Sequence, residues 1–196
     1  MKKIIQSFWS KPMSKDRFIK SLWIAALSLA FARRSGYEIT MYTDTKGAEI
    51  LKQLPYKEVN TKLDKMPNIK HPDKLFACGK YFALKDNPVG TVHIDLDVML
   101  KKPCLDSFFN GEGDVVIQNR ENGENADTYS KINTYFKGIK YPKNININPK
   151  HNFVYNVGTI GFNNKDLLDK YLSNYKEAID IFKNYDLKMA VDFVLE

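Results

Sequence analysis

Short apolar runs alternate with longer helical patterns along the first half of the chain, and this alternation restricts its fold more than any other feature. The runs Lys3–Trp9 and Glu38–Thr43 each predict a buried strand. Between them, apolar residues recur at three- and four-residue intervals over Asp16–Ser35, which is typical of a helix with one face on a core. Strands and helices that alternate in this way predict an α/β fold with a mostly parallel sheet.

The rest of the chain continues this pattern. Further strands are predicted at Glu58–Thr61, Gly90–Leu100, Asp114–Gln118 and Phe153–Phe162, and further helices at 45–54, Asp73–Leu84, Asn163–Lys183 and Leu187–Glu196. Arg120–Asp127 and Lys137–Lys150 are polar and predict loops, with a short helix or flap between them. A length of 196 residues suffices for one domain with a substantial core, so we expect a single domain over residues 1–196.

Composition and charge narrow the classes of partner. With 43% hydrophobic and 13% aromatic residues, the chain is far from the composition of disordered proteins. The net charge of +7 favours anionic partners, which include nucleotides, phosphorylated sugars, nucleic acid and an anionic membrane surface. No Lys/Arg cluster alternates with aromatic residues in a recognisable motif, so nucleic acid is not an expected partner.

Cysteines and apolar runs bear on the compartment. Cys78 and Cys104 are isolated, which argues against a zinc site or a disulfide framework. The longest apolar stretch, Leu22–Ala32, is far shorter than the roughly 20 residues of a membrane span, and the start of the chain lacks the apolar run of a signal peptide. The expected location is therefore the cytoplasm.

The predicted strand Gly90–Leu100 carries two carboxylates at its far end, Asp95 and Asp97. Because side chains alternate along a strand, His93, Asp95 and Asp97 are expected on one face. Two like charges side by side are costly to bury unless something neutralises them. The spacing therefore requires a divalent metal, a nearby Lys or Arg, or exposure to water.

The same alternation places other chemically useful residues near these aspartates. In a parallel sheet, ligands bind beyond the carboxyl ends of the strands. Phe8 and Trp9 end the first predicted strand, and Thr43 and Asp44 end the second. We expect them to line one edge of the sheet together with the aspartates.

An Asp-x-Asp sequence at a strand end has two readings. It can hold Mn²⁺ or Mg²⁺ against a diphosphate, because hard cations take oxygen ligands and the diphosphate completes the shell. It can also be a pair of surface carboxylates that cap neighbouring amides. His93 is either a further ligand or a buried histidine below the site.

Five short motifs in this order resemble bacterial GT-A fold glycosyltransferases, in particular glycosyltransferase-like proteins of surface-polysaccharide regions. They are the opening I-I-Q-S-F-W, Tyr42-Thr-Asp44, the helix that bears Lys80, Ile94-Asp-Leu-Asp97, and Tyr155-Asn-Val-Gly-Thr-Ile-Gly-Phe162. The resemblance spans nearly the whole chain. It implies a Rossmann-like αβα sandwich and an enzyme that uses a nucleotide-activated sugar.

The resemblance also implies roles for individual residues. Asp97 would be the main protein ligand of Mn²⁺ or Mg²⁺, and Asp95 would touch the metal, ribose or sugar. Lys80 would face the diphosphate or donor sugar. The remaining donor contacts would come from the strand ends and from the strand that lines the acceptor side, namely Gln6, Phe8, Trp9, Thr43, Asp44, Asn156 and Gly158.

An inverting enzyme also needs a carboxylate that takes the acceptor proton. Asp192, on the last predicted helix, is the candidate that the resemblance offers. Many such enzymes add a metal ligand beyond a position like Glu196, so we expect either a truncated chain or a compact member that completes the metal shell with water and substrate.

The expected donor is a UDP-sugar, and the expected acceptor is a glycan or a lipid-linked glycan, with peripheral association at the inner face of the membrane. Two other readings remain open. A nucleotidyltransferase also uses acidic metal ligands, but it normally has a Gly-rich basic loop after the first strand, where this chain has Gln6-Ser-Phe-Trp-Ser10. The third reading is a non-catalytic module that binds nucleotide, nucleic acid or an anionic glycan.

Overall fold

The computed structural model describes residues 2–66, 68–70, 72–75, 77–122 and 153–183. In this part of the chain six strands form one sheet: β1 (Lys3–Phe8), β2 (Ile39–Thr43), β3 (Glu58–Asn60), β4 (Thr91–Ile94), β5 (Val115–Asn122) and β6 (Phe153–Phe162). The helices are α1 (Lys15–Arg34), α2 (Thr45–Leu51), α3 (Cys78–Lys85), α4 (Asp106–Phe109) and α5 (Lys165–Phe182), with 3₁₀ turns at Lys62–Lys65 and Pro72–Lys74.

The sheet has the order β3-β2-β1-β4-β6-β5. The first four of these strands run parallel, whereas β6 is antiparallel to β4 and β5 is antiparallel to β6. The predicted α/β class with a mostly parallel sheet is confirmed. The chain places β2 and β3 on one side of β1 and then returns to place β4 on the other side. The strand order therefore reverses between β1 and β4, where open α/β sheets form a ligand crevice.

Both faces of β1 are covered, which explains why the adjacent residues Ile4 and Ile5 are both apolar and both buried. Ile4 packs with Leu29 and Ala32 of α1 in one cluster. Ile5 belongs to the opposite cluster, formed with side chains of α3 and α5 such as Tyr81 and Ala178. The fold is thus three-layered, with α1 on one face of the sheet and α3 and α5 on the other.

Helix α1 begins and ends close to where its sequence signals predict. The hydroxyl of Ser14 accepts a hydrogen bond from the amide of Arg17 at 3.3 Å and caps the first turn. Arg33 and Arg34 lie in the last turn, where cations favour the helix dipole. Gly36 follows with φ +82°, a conformation that glycine adopts without strain.

The predicted strand Gly90–Leu100 is too long. β4 ends at Ile94, and the amide of Asp95 makes the next bond, to the Gly158 carbonyl at 2.6 Å. The Val98 amide then donates to the Asp95 carbonyl at 3.1 Å and closes a turn. Alternation therefore stops before Asp97, and the expectation that Asp97 shares a strand face with His93 is wrong.

Two other boundaries also differ from expectation. The helix predicted over Asp73–Leu84 is interrupted. The Leu75 amide donates to the Pro72 carbonyl and the Cys78 amide donates to the Leu75 carbonyl, and these bonds form tight turns before α3 begins. β5 extends to Asn122, into a predicted loop, because residues 119–122 pair with β6 beyond a register shift.

The predicted flap at 128–136 and the last predicted helix lie outside the described residues. No helix in the described ranges is long and apolar enough to cross a bilayer.

Candidate functional site

The carboxyl ends of β1, β2 and β4 meet at one edge of the sheet. Phe8 pairs with Thr43 at the ends of β1 and β2, and β4 runs parallel to β1 on its other side. β6 runs in the opposite direction and pairs Thr159 with Ile94, so Asn156 and Gly158, which precede Thr159, lie at the end of β4. The fold thus brings the predicted site residues of four strands to one edge, which we call the carboxyl edge.

Asp95 is neutralised by Lys80, a residue of α3. The Lys80 side chain is only 2% exposed, and its ammonium lies 3.2 and 3.4 Å from the two carboxylate oxygens of Asp95. The same ammonium donates a hydrogen bond to the Val157 carbonyl of β6 at 3.0 Å. Lys80 therefore joins the end of β4 to β6 beneath the carboxyl edge. Of the three possible neutralisers, a lysine is the one that the fold supplies to Asp95.

Asp97 is exposed on the turn after β4. Water stabilises its charge, so the two carboxylates do not share one buried environment. A metal is therefore not needed to stabilise the fold at this pair.

The arrangement nevertheless fits a cation shared with a ligand. Mg²⁺ and similar hard cations keep several waters and bind through one or two carboxylates together with substrate phosphates. Asp97 can supply one such carboxylate, and the exposed third of Asp95 can approach from the same turn. In the described part of the chain no group of three His, Cys, Asp or Glu side chains could hold a metal alone. A metal here would thus need phosphate or water oxygens to complete its shell.

His93 lies directly below this turn. Its Nε2 is 2.9 Å from the Ser7 hydroxyl, and its Nδ1 is 3.7 Å from the nearer oxygen of Asp95. Complete burial, and secondarily the positive charge of Lys80, hold the pKa of His93 well below its usual value. The imidazole is therefore neutral, and its placement favours the reading of a buried histidine under the site.

Asp44 lies at the same edge but is used by its own turn. One carboxylate oxygen accepts from the Ser10 hydroxyl at 2.6 Å and from the Gly47 amide at 2.9 Å. The other oxygen accepts from the Lys11 amide at 2.7 Å. The side chain is buried and caps the start of α2. Its contact with base or ribose stays a prediction.

The predicted nucleotide-bordering residues of β1 are buried as well. Gln6 donates to the Ser28 hydroxyl at 2.9 Å and to the Asp95 carbonyl at 3.2 Å, so it holds the Asp95 turn from below. Phe8 is 1% exposed and packs on the Phe18 ring with centroids 5.6 Å apart. These side chains shape the floor of the edge.

Trp9 and Thr43 are likewise part of this floor. Trp9 is buried in the cluster on the α3 and α5 face of the sheet. The Thr43 hydroxyl donates to the Phe8 carbonyl at 2.7 Å and ties the end of β2 to the end of β1. The contact of these residues with a nucleotide stays a prediction.

Two predicted site residues of β6, Asn156 and Gly158, lie at the carboxyl edge. The Asn156 amide group donates to a carboxylate oxygen of Glu121 at 2.8 Å, and its carbonyl oxygen accepts from the Gly158 amide at 2.9 Å. A side chain at Gly158 would overlap the Gln118 amide group, which fills that space. A larger residue at this position would therefore displace the Gln118 side chain.

Positive charge also reaches the carboxyl edge. Lys11 follows β1 and is exposed, and Lys46 lies in the first turn of α2, with its ammonium 4.9 Å from the centroid of the Phe18 ring. Exposed cations at this edge of the sheet favour an anionic ligand.

Sequence reasoning did not identify Ser7, Ser10, Gln118 or Glu121. Ser7 and Ser10 lie within or next to the opening motif, and their proximity to the first strand end is the signal that could have found them. Glu121 was assigned to a loop, and only the pairing of β5 with β6 places it beside Asn156. The predicted catalytic Asp192 lies outside the described residues.

Comparison with known protein families assigns the chain to one of them. Residues 1–193 match the family model described as "Family of unknown function (DUF6734)", and the chain belongs to this family. No curated protein matches the chain. The crystal structure of 4-diphosphocytidyl-2C-methyl-D-erythritol synthase from Anaerococcus prevotii is similar with a TM-score of 0.42 and 9% identity, over 98% of this chain and 82% of that chain.

Proposed function

We propose that this chain is a GT-A type glycosyltransferase that transfers a sugar from a nucleotide-sugar, with a UDP-sugar as the first candidate, to a glycan or lipid-linked acceptor. One observation carries the proposal. The Asp95–Asp97 turn follows β4 directly beside the point where the strand order reverses, between β1 and β4. Open α/β sheets bind their ligands in this crevice, and here the crevice carries an exposed carboxylate and nearby lysines.

The nucleotide would lie over the ends of β1 and β2, and the diphosphate would point toward Asp97. Lys11 and Lys46 are exposed on that side and can approach an anionic ligand. The buried bonds of Gln6 and Thr43 keep the floor of the crevice rigid, because each ties one strand end to another. Such a preformed floor orients a donor without reorganisation.

Mn²⁺ or Mg²⁺ would be held by Asp97 together with the diphosphate and, from its exposed side, Asp95. When bound, the cation offsets the negative charge that develops on the departing diphosphate. Lys80 acts from below, since it fixes the Asp95 carboxylate and the end of β6 at 3.0–3.4 Å. These residues set the position of the leaving group relative to the acceptor side.

The acceptor would approach along β6 and β5. Asn156 and Glu121 form a hydrogen-bonded pair there. The Glu121 carboxylate can also accept a hydrogen bond from a sugar hydroxyl, and the Asn156 amide can donate one to it. Transfer with inversion needs a carboxylate that accepts the hydroxyl proton. Asp192 remains the predicted residue for this role.

Differential scanning fluorimetry tests the donor site. UDP-, GDP-, CDP- and TDP-sugars are compared with and without Mn²⁺, on the wild type and on Asp97→Asn. A donor at 100 times its Kd stabilises by about 2.7 kcal/mol, which raises Tm by about 5–10 °C at this chain length. We expect one nucleotide to give a metal-dependent shift that Asp97→Asn removes.

Asp114→Asn is the matched control, because Asp114 is equally exposed but precedes β5 at the opposite edge. It should retain the full shift. The proposal fails if free nucleoside triphosphate with a sugar phosphate releases pyrophosphate, the outcome expected of a nucleotidyltransferase. It also fails if no nucleotide shifts Tm while DNA or an acidic glycan binds in a salt-sensitive way.

A further inference from the structure

The outer face of α1 carries large apolar side chains that the described part of the protein leaves uncovered. Trp23 is 74% exposed, Leu27 51%, Ile19 43% and Ile24 38%. With about 100° per residue, these four side chains fall within an arc of about 140°. They form one continuous stripe, which we call the α1 stripe.

The stripe is not the core-facing side of the helix. Phe18, Ala25, Leu29 and Ala32 are buried on the other side, where they pack against the sheet. The helix is thus apolar on both sides, but only one side is covered. A contiguous exposed apolar patch of this kind marks an interaction surface.

Basic residues accompany the stripe. Within α1 five residues are basic and one is acidic, a balance of +4 in a chain whose net charge is +7. On the helical wheel Lys15 and Arg33 border one side of the stripe and Arg17 borders the other. Lys20 and Arg34 lie within it, as does the one acidic residue of the helix, Asp16. More than half of the net charge of the chain therefore lies on one helix, around its exposed apolar side chains.

We propose that the α1 stripe docks in the plane of an anionic membrane surface. A helix that lies in the interface inserts apolar side chains and Trp at the headgroup boundary, and its Lys and Arg side chains attract anionic lipids. Trp23 supplies the amphipathic ring that favours this boundary. Lys20 can extend its stem over the apolar stripe and keep its ammonium at the headgroups.

The charge pattern argues against a second copy of the chain as the occupant. A two-fold interface presents the same patch from both subunits. Two α1 stripes would thus bring two helices of charge +4 together, and like charges across an interface oppose association. An anionic bilayer has the complementary sign.

The buried side of α1 also contacts the candidate site. Leu96 of the Asp95–Asp97 turn packs against the cluster that contains Phe18 and Ala25 of α1. Docking of the opposite side of the helix would leave this contact in place. The docking inference rests on α1 and not on the proposed transfer reaction.

Vesicle co-sedimentation of the full chain tests the inference without any substrate. The vesicles contain either phosphatidylcholine alone or phosphatidylcholine with about 30% phosphatidylglycerol. Trp23→Gln with Leu27→Gln removes apolar area, and Lys20→Gln with Arg34→Gln removes charge. Leu167→Gln with Val115→Gln and Lys101→Gln with Lys170→Gln are matched controls, because these residues are exposed elsewhere on the molecule.

We expect the wild type to bind the anionic vesicles at least about tenfold more strongly than the neutral ones. Each α1 double variant should lose about tenfold in partitioning, whereas both controls should keep wild-type binding and all variants should keep the wild-type circular dichroism spectrum. The inference is overturned if the wild type ignores anionic vesicles, or if the α1 variants bind as well as the controls. It is also overturned if sedimentation velocity shows a dimer that Trp23→Gln with Leu27→Gln dissociates. Because no nucleotide is present, these outcomes do not depend on the donor test.

Discussion

Two turns at the carboxyl edge carry aspartates, and the protein uses them differently. Asp44 ends β2 and accepts three hydrogen bonds, from the Ser10 hydroxyl and from the amides of Lys11 and Gly47. Asp95 and Asp97 follow β4. Asp95 is half-buried and pairs with the buried Lys80, whereas Asp97 is exposed. A carboxylate at a strand end is thus a helix cap in one case and a candidate ligand in the other.

The difference arises from the backbone conformation after each strand. After β2 the chain enters α2 at once, and the free amides of the first helical turn require an acceptor. After β4 it makes a turn with no helix, so no backbone amides compete for Asp97. Position at the sheet edge alone therefore does not distinguish a helix cap from a candidate ligand, whereas unused hydrogen-bonding capacity does.

Asp95→Asn should give the largest effect on this comparison. It removes the carboxylate that faces the buried ammonium of Lys80, and because Asp95 is itself about one-third exposed, the expected loss of unfolding free energy is about 2–3 kcal/mol. Asp97→Asn at the exposed position should change that free energy by less than about 0.5 kcal/mol. Urea denaturation of both variants measures the two values. Equal losses would show that the two aspartates share one environment.

Asp44→Ala should have the next largest effect. It removes a cap and leaves the Ser10 hydroxyl and Lys11 amide without their acceptor, at a cost of about 2 kcal/mol. Asp44→Asn retains an acceptor oxygen, and asparagine caps helices as well as aspartate does, so its loss should be smaller. Urea denaturation ranks the two variants, with Asp114→Ala as an exposed control.

Asp44→Asn also separates the two roles of this residue. If Asp44 only caps α2, the nucleotide-induced rise in Tm should survive the substitution. Loss of that rise with stability retained would instead establish the predicted contact of Asp44 with base or ribose, and the contrast between the two turns would be wrong.

The smallest expected effect concerns pH. The folded-state pKa of His93 is depressed. Below about pH 6.5 the unfolded chain therefore binds a proton at His93, whereas the native chain does not. Stability is fully present above that pH and is lost as the pH decreases, by at most about 1.4 kcal/mol per pH unit for one proton. His93→Gln should remove this component. Urea denaturation from about pH 7.5 to about pH 5 compares the two slopes, and parallel slopes would mean that His93 is protonated in the native state.

Much of the architecture was predictable from local sequence. The bounds of α1 and β6, the α/β class and the alignment of three strand ends follow from apolar periodicity, capping residues and the rule for parallel sheets. These signals are short-range, because a helix or strand is selected by neighbours within a few residues. The site was predicted less well, since its side chains interact with partners that are distant in the sequence.

The sequence by itself determined that two carboxylates follow a buried strand and that something must neutralise them. Only the tertiary structure decided what does so. Lys80 lies 15 residues before Asp95 in the sequence and 77 residues before Val157, whose carbonyl accepts its second hydrogen bond. Only the packing of α3 against β4 and β6 brings these three residues together. β4 pairs with β6 only as far as Ile94. The chain then turns, and Asp97 is exposed to water. Hydrogen bonds and ion pairs depend on distances in space, which the order of residues along the chain does not specify.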